Sequence, residues 1–210
     1  QFLKTIIDLS KCELTRLEHT NATEMAKVLE NSYRAMNIAF AIEWSRFAEE
    51  AGVDLYSMVD AIRIRKTHSN LMYPGIGVGG YCLTKDPLLA SWARKSFFAS
   101  QSGLEMSVNS VSNNDQMPIF AFNRLVEVYG SLKGKKVAFL GVSYRGDVGD
   151  TRYTPVETLV TKVREAQSEI LRHDPYVSYC QEQGHDIESN IDNRVNMAPD
   201  IIIISISHRH

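Results

Sequence analysis

The chain has 210 residues, of which 44% are hydrophobic, and a formal net charge of −2, with a sequence pI near 6.3. That is enough apolar side chain for packed cores in one or two domains and excludes general disorder. The charge leaves no electrostatic footprint for nucleic acid.

The apolar run Ile201–Ile206 is too short to cross a bilayer, and no secretory signal is recognisable. Cys12, Cys82 and Cys180 fall at no metal-ligand spacing, and the six histidines are scattered. The expectation is therefore reduced thiols in a cytoplasm, and no metal.

In chain order, Phe2–Leu9 reads as a short strand followed by a polar connection. Asn21-Ala-Thr-Glu24 has the form of a capping box and opens a long helix to Ala51, stopped by Gly52. Met25, Val28, Leu29, Met36, Ile38, Phe40, Ile42, Trp44 and Phe47 place apolar side chains around most of its circumference. A helix apolar on several faces is buried on several faces, which predicts a homodimer through residues 21–51. Asp54 is placed to cap a shorter helix through Ile62.

Asp86-Pro87 reads as the start of a helix to about Phe97. A further helical region runs from Leu104 to Tyr129, restarts at Pro118 and ends at Gly130. The composition then changes. Lys133–Gly141 reads as a charged lead into a buried strand that ends at glycine, Thr154-Pro155-Val-Glu157 as a capping box opening a helix to about Ala166, Ser168–His173 as a second strand and Asp200–Ser207 as a third. This alternation predicts a parallel α/β unit after an all-helical segment. In such sheets ligands sit beyond the carboxyl ends of the strands. The loop Ser143–Arg152 belongs at that edge, and its two arginines, Arg145 and Arg152, suit phosphate.

The most informative stretch is Tyr73-Pro-Gly-Ile-Gly-Val-Gly-Gly-Tyr-Cys82-Leu-Thr-Lys-Asp86. Gly75, Gly77, Gly79 and Gly80 form a backbone without side chains, able to wrap closely around a bound group. They follow no strand, so this is not a dinucleotide fingerprint. Cys82 lies just after the loop and close to a predicted helix N-terminus, the setting of a nucleophilic cysteine. Lys27 and Asn31 are i and i+4 on the long helix, so they project from one face and could stabilise an oxyanion.

Four segments resemble the UDP-glucose/UDP-N-acetylhexosamine 6-dehydrogenase family, in that family's order. They are Ala22–Asn31, Arg34–Glu43, Pro74–Asp86 and Val137–Arg152, the third being the most specific. The resemblance implies three divisions: residues 1–19 as the end of an NAD-binding domain, 20–131 as a helical central domain for dimerisation and catalysis, and 132–210 as an incomplete UDP-binding α/β domain. Both chain ends read as cut, and no strand–GxGxxG–helix unit is present, so this chain alone is expected to be inactive.

The resemblance further implies a four-electron oxidation of the C6 hydroxyl of a UDP-sugar to the carboxylate, with two NAD and no metal. Cys82 would trap the aldehyde as a thiohemiacetal that becomes a thioester and is hydrolysed. Lys27 and Asn31 would hold the oxyanion, and Asp86 would assist water or orient its neighbours. Tyr73, Gly75, Gly77 and Gly79 would wrap the sugar nucleotide, Tyr144 and Arg145 would lie near the substrate, and Arg152 near NAD.

Tyr81 stands where the N-acetylhexosamine branch commonly has histidine, Thr84 where proline is frequent, and Ile42 where Asn is common. The remaining pattern favours UDP-N-acetylmannosamine or UDP-N-acetylglucosamine over UDP-glucose. The other readings are a UDP-glucose enzyme, a β-hydroxyacid-type dehydrogenase lacking the cysteine, or a non-catalytic dimerising nucleotide-binding module.

Overall fold

The computed structural model describes residues 2–10 and 13–209; Cys12 lies outside them. A 31-residue helix, α1 (Thr20–Glu50), is the axis of the first part. It is followed by α2 (Leu55–Arg63), α3 (Tyr81–Phe98), α4 (Glu105–Asp115) and α5 (Met117–Tyr129). Helices α3 and α4 both pack on α1. The face of α1 turned to them carries small side chains, with Ala35 and Ala39 buried near Ile42, so the backbones approach closely, while Ala48 packs on Leu55 and Val59 of α2. Asn114 of α4 donates to the Ala35 carbonyl at 3.1 Å, and Asn113 donates to that of Ala39 at 3.1 Å.

The second part is a three-stranded parallel sheet in the order β2–β1–β5, formed by β1 (Lys136–Leu140), β2 (Glu169–His173) and β5 (Ile201–Ile204). Helix α6 (Pro155–Glu165) packs against it, burying Val156, Leu159, Val160 and Val163 on Val137 and Phe139. Full burial of each such side chain stabilises by about 1.5–3 kcal/mol. Helix α5 lies along α6 and adds Ala121, Phe122 and Leu125 to the same core, tying the two parts together. Between β2 and β5 the chain also forms a short hairpin, β3 (Tyr179–Cys180) with β4 (His185–Asp186), and helix α7 (Ile191–Val195). The α/β class with an all-helical first half is thus as the sequence predicts; the hairpin and α7 were not anticipated.

Four local expectations are corrected. Phe2–Leu9 is not a strand: Phe2–Thr5 is a 3-10 turn with Phe2 and Ile6 exposed, because backbone without a sheet partner closes its hydrogen bonds locally. Asn21 and Glu24 do not cap α1, which begins at Thr20 after His19 with no side-chain cap. Asp86 does not cap α3: the helix begins five residues earlier, at Tyr81, and carries Pro87 inside it. In the Thr154 box, Thr154 accepts from the Val156 N–H at 3.4 Å as expected, but Glu157 turns to Arg172 at 3.2 Å. The Asp54 cap holds, accepting from the N–H groups of Tyr56 and Ser57.

The glycine loop lies where the two parts meet. The Gly80 N–H donates to the Arg152 carbonyl at 2.9 Å, and Gly80 itself, at φ 78°, precedes α3. A Cβ on Gly79 would sit 2.6 Å from Tyr144 Cβ and 2.7 Å from the Tyr153 carbonyl oxygen. One of those atoms is main chain and cannot swing aside. Gly79→Ala is therefore expected to lower stability by about 1–3 kcal/mol, read as a drop in the urea midpoint; an unchanged midpoint would contradict the packing.

Candidate active site at the α1–α3 crossing

Two i,i+4 pairs face each other across the α1–α3 crossing: Lys27 with Asn31 on α1, and Cys82 with Asp86 on α3. Their meeting point is the Asp86 carboxylate, only 1% exposed. Its Oδ2 accepts from Lys27 Nζ at 2.5 Å and Asn31 Nδ2 at 2.7 Å, and its Oδ1 accepts from Lys85 Nζ at 2.8 Å. An unpaired charge buried this deeply would be expelled or neutralised. Three donors, two of them cationic, make the ionised form the stable one.

Burial alone would raise the Asp86 carboxyl, but hydrogen bonds from Lys27, Lys85 and Asn31 outweigh it and hold the group at about 2. The same hydrogen bond raises Lys27 above the ordinary lysine value, so its ammonium persists at neutral pH. Lys27 Nζ then lies 3.9 Å from Cys82 Sγ. Two ammonium groups and one carboxylate leave the cluster with a net positive charge, beside an exposed thiol. Such a site favours negative charge developing on an oxygen carried by the carbon that sulfur attacks.

The structure thus brings together Cys82, Lys27, Asn31 and Asp86, the four residues picked from the sequence for chemistry. Cys82 is the second residue of α3. The sequence reading missed Lys85, whose ammonium also lies 5.2 Å over the Tyr81 ring. Its adjacency to Asp86 was the available signal.

The expected binding residues divide into groups. Tyr73 donates its hydroxyl to Asp60, stacks on Tyr56 at 5.8 Å between centroids, and lies under the Arg63 guanidinium. Gly75 has open space around its Cα, whereas Gly77 and Gly79 abut Pro155, Tyr144 and Tyr153. Tyr144 packs edge-on to Gly80, Arg145 is exposed in the following loop, and Arg152 holds Asp150 at 2.6 Å. The glycine loop and the arginine loop are therefore neighbours in space. They do not form a dinucleotide cradle, because the loop follows no strand and its close glycines are filled by protein.

Stability should follow the Asp86 carboxyl. Its folded value lies below the unfolded value of 3.8, so its contribution is full above about pH 4 and is lost as pH falls through about 2. From that difference the contribution is about 2 kcal/mol. Acid unfolding of Asp86→Asn should be flatter across this window than that of the unsubstituted chain; equal slopes would contradict the assignment.

Two domain models match this chain. One is the central domain of the UDP-glucose/GDP-mannose dehydrogenase family, over residues 21–112. The other is the UDP binding domain of the same family, over residues 138–210. A UDP-N-acetyl-D-mannosamine dehydrogenase from Methanococcus vannielii is 31% identical over 90% of this chain and 42% of its own length. A protein of the same description from Pyrococcus horikoshii is 39% identical over 77% of this chain and 38% of its own.

Among solved structures, an NDP-N-acetyl-D-galactosaminuronic acid dehydrogenase from Methanosarcina mazei superposes with a TM-score of 0.80 at 30% identity, over 89% of this chain and 41% of that one. The chain therefore spans about two fifths of the length of these relatives. Matched in order by the two domain models, it belongs to the UDP-glucose/GDP-mannose dehydrogenase family and carries that family's central and UDP-binding domains.

Proposed function

We propose that the complete protein oxidises the C6 hydroxyl of a UDP-N-acetylhexosamine to the uronic acid, in four electrons and two NAD-dependent stages, with Cys82 as nucleophile. The observation that carries this reading is the 3.9 Å approach of Lys27 Nζ to Cys82 Sγ, with Lys27 fixed by a buried carboxylate. NAD, when bound, would supply the hydride acceptor; the described residues contain no strand–GxGxxG–helix unit, so the cofactor would be held mainly by residues outside them, with Arg152 on its side.

Within this chain, Cys82 Sγ adds to the C6 aldehyde carbon, and the carbonyl oxygen takes up negative charge beside Lys27. The Lys27 ammonium donates to that oxygen, and Asp86, itself held by the Asn31 amide, keeps the ammonium in place. After the second oxidation Cys82 carries the acyl group as a thioester, and thiolate is a good leaving group when water attacks. Tyr73 and the glycine loop would contact the sugar nucleotide, with Tyr144 and Arg145 beyond it. Arg152, already paired with Asp150, would lie on the cofactor side.

The choice of an N-acetylhexosamine is supported by the descriptions of the relatives, several of which name UDP-N-acetyl-D-mannosamine. Domain limits of 20–131 and 132–210 fit the matched spans. An apolar strip on α1, with Met25, Leu29, Phe40 and Phe47 each more than half exposed, supports a homodimer through this helix, as does its Phe40–Trp44–Phe47 ring ladder. No helix among the described residues is long and apolar enough to cross a membrane.

NADH formation by the complete protein tests the proposal, with UDP-N-acetylmannosamine, UDP-N-acetylglucosamine and UDP-glucose offered in turn. One N-acetylhexosamine should give two NADH per sugar, with no steady-state turnover from Cys82→Ser. Lys27→Met should lower kcat by about 10²–10³-fold. Unimpaired turnover by Cys82→Ser would end the covalent mechanism, and turnover of UDP-glucose alone would overturn the substrate choice.

A further inference from the structure

A second cluster lies on the α/β part, away from Cys82. Its frame is the β3–β4 hairpin, in which Cys180 and His185 are directly opposed partners of an antiparallel pair. Directly opposed residues project on the same face of a two-stranded ribbon. Glu157, in the first turn of α6, reaches the same point. Its carboxylate, the Cys180 sulfur and a His185 ring nitrogen all lie within 4.8 Å of one another, and His185 Nε2 is 3.5 Å from Glu157 Oε1. Tetrahedral zinc, with ligand bonds of about 2.0–2.3 Å, separates its donor atoms by roughly 3.3–3.7 Å.

The polar atoms here are incompletely satisfied. Glu157 is 7% exposed. Its Oε1 accepts from the buried Arg172 at 3.2 Å, while its Oε2 is buried without a hydrogen-bond partner, as is His185 Nε2. Buried polar atoms left unpaired call for an explanation such as an ion. Arg172 occupies one carboxylate oxygen and leaves the other available, the outer-shell arrangement that orients a carboxylate ligand.

We propose that Glu157, Cys180 and His185 form a binding site for a thiophilic divalent cation, Zn²⁺ by the character of its ligands, with its fourth position open. A sulfur, an imidazole nitrogen and a carboxylate oxygen together suit zinc better than magnesium or calcium. Glu157 and Cys180 also line a cleft of about 470 Å³ together with Thr151, Thr154 and Glu182, from which water can complete the shell. The Cys180 thiol donates to Glu182 Oε2 at 3.6 Å. Binding forms a Zn–S bond, breaks the S–H bond and sends the proton to the Glu182 carboxylate or to water. Bound metal would lock the hairpin to the first turn of α6, just after the loop that meets the glycine segment.

The test removes the other thiols. In a Cys12→Ser, Cys82→Ser chain, Cys180 is the only cysteine left. Stripped of metal and titrated with Co²⁺, it should bind one equivalent and show a near-ultraviolet thiolate-to-cobalt charge-transfer band with tetrahedral visible absorption. Zn²⁺ should displace the cobalt. His185→Ala and Glu157→Gln in that background should each weaken Zn²⁺ binding at least about tenfold. Should those variants fail to fold, X-ray absorption of the zinc-loaded background chain still decides, with one sulfur at about 2.3 Å expected in the shell. Absence of the charge-transfer band, or a zinc shell without sulfur, overturns the proposal.

Discussion

A carboxylate 1% exposed can remain ionised only if hydrogen-bond donors surround it, and Asp86 obtains its donors from two helices. That requirement fixes the α1–α3 crossing. Asn31 supplies the buried neutral donor, and the ammonium groups of Lys27 and Lys85 close over the outside. Because Cys82 stands one turn before Asp86 on the same face, the crossing that satisfies the carboxylate also sets the Lys27 ammonium beside the thiol. The chemistry proposed for the site therefore depends on a structural ion cluster, and Asp86 serves it as an anchor for its neighbours.

The start of α3 is constrained from the other side as well. The loop that leads into it fits under Tyr144, Tyr153 and Pro155 only because Gly77 and Gly79 lack side chains there, and the Gly80 amide is tied to Arg152. The thiol-bearing helix thus begins on a platform supplied by the α/β part, and the arginine loop after β1 comes to lie next to it. Packing of α5 along α6 holds the platform in register. Sugar-binding and nucleotide-binding residues proposed for opposite ends of one substrate are neighbours for this reason.

Much of this was legible in the sequence where a local signal agreed with the global fold. Asp54 and Thr154 cap as read, Pro118 stands at the start of a new helix, and the three parallel strands follow from short apolar runs. Lys27 and Asn31 were legible from their i,i+4 spacing, Cys82 from its place just after the glycine loop, and Asp86 through the family resemblance. Asp86-Pro87 misled because its local chemistry is that of a helix start, while tertiary hydrogen bonds used the carboxylate in the second turn. Glu157 misled likewise: a buried arginine competed for it more strongly than the helix end did. Lys85 was overlooked although it is next to Asp86 in the chain, because adjacent helical residues do not ordinarily share a face; the Cys180–His185 pairing was hidden because no periodicity announces the register of a two-residue strand. Phe2–Leu9 read as a strand only because strand propensity does not reveal whether a partner strand is present.

Asp86 docks α3 on α1 through Asn31 and thereby sets Lys27 at the thiol. A double-mutant cycle of Asn31→Ala and Asp86→Ala, measured by urea unfolding of this chain, tests it most directly. A coupling of about 1–3 kcal/mol is expected, the two substitutions together costing less than their sum. Effects that add to within about 0.5 kcal/mol would show that the two side chains do not share a bond that matters, and the anchor would be lost.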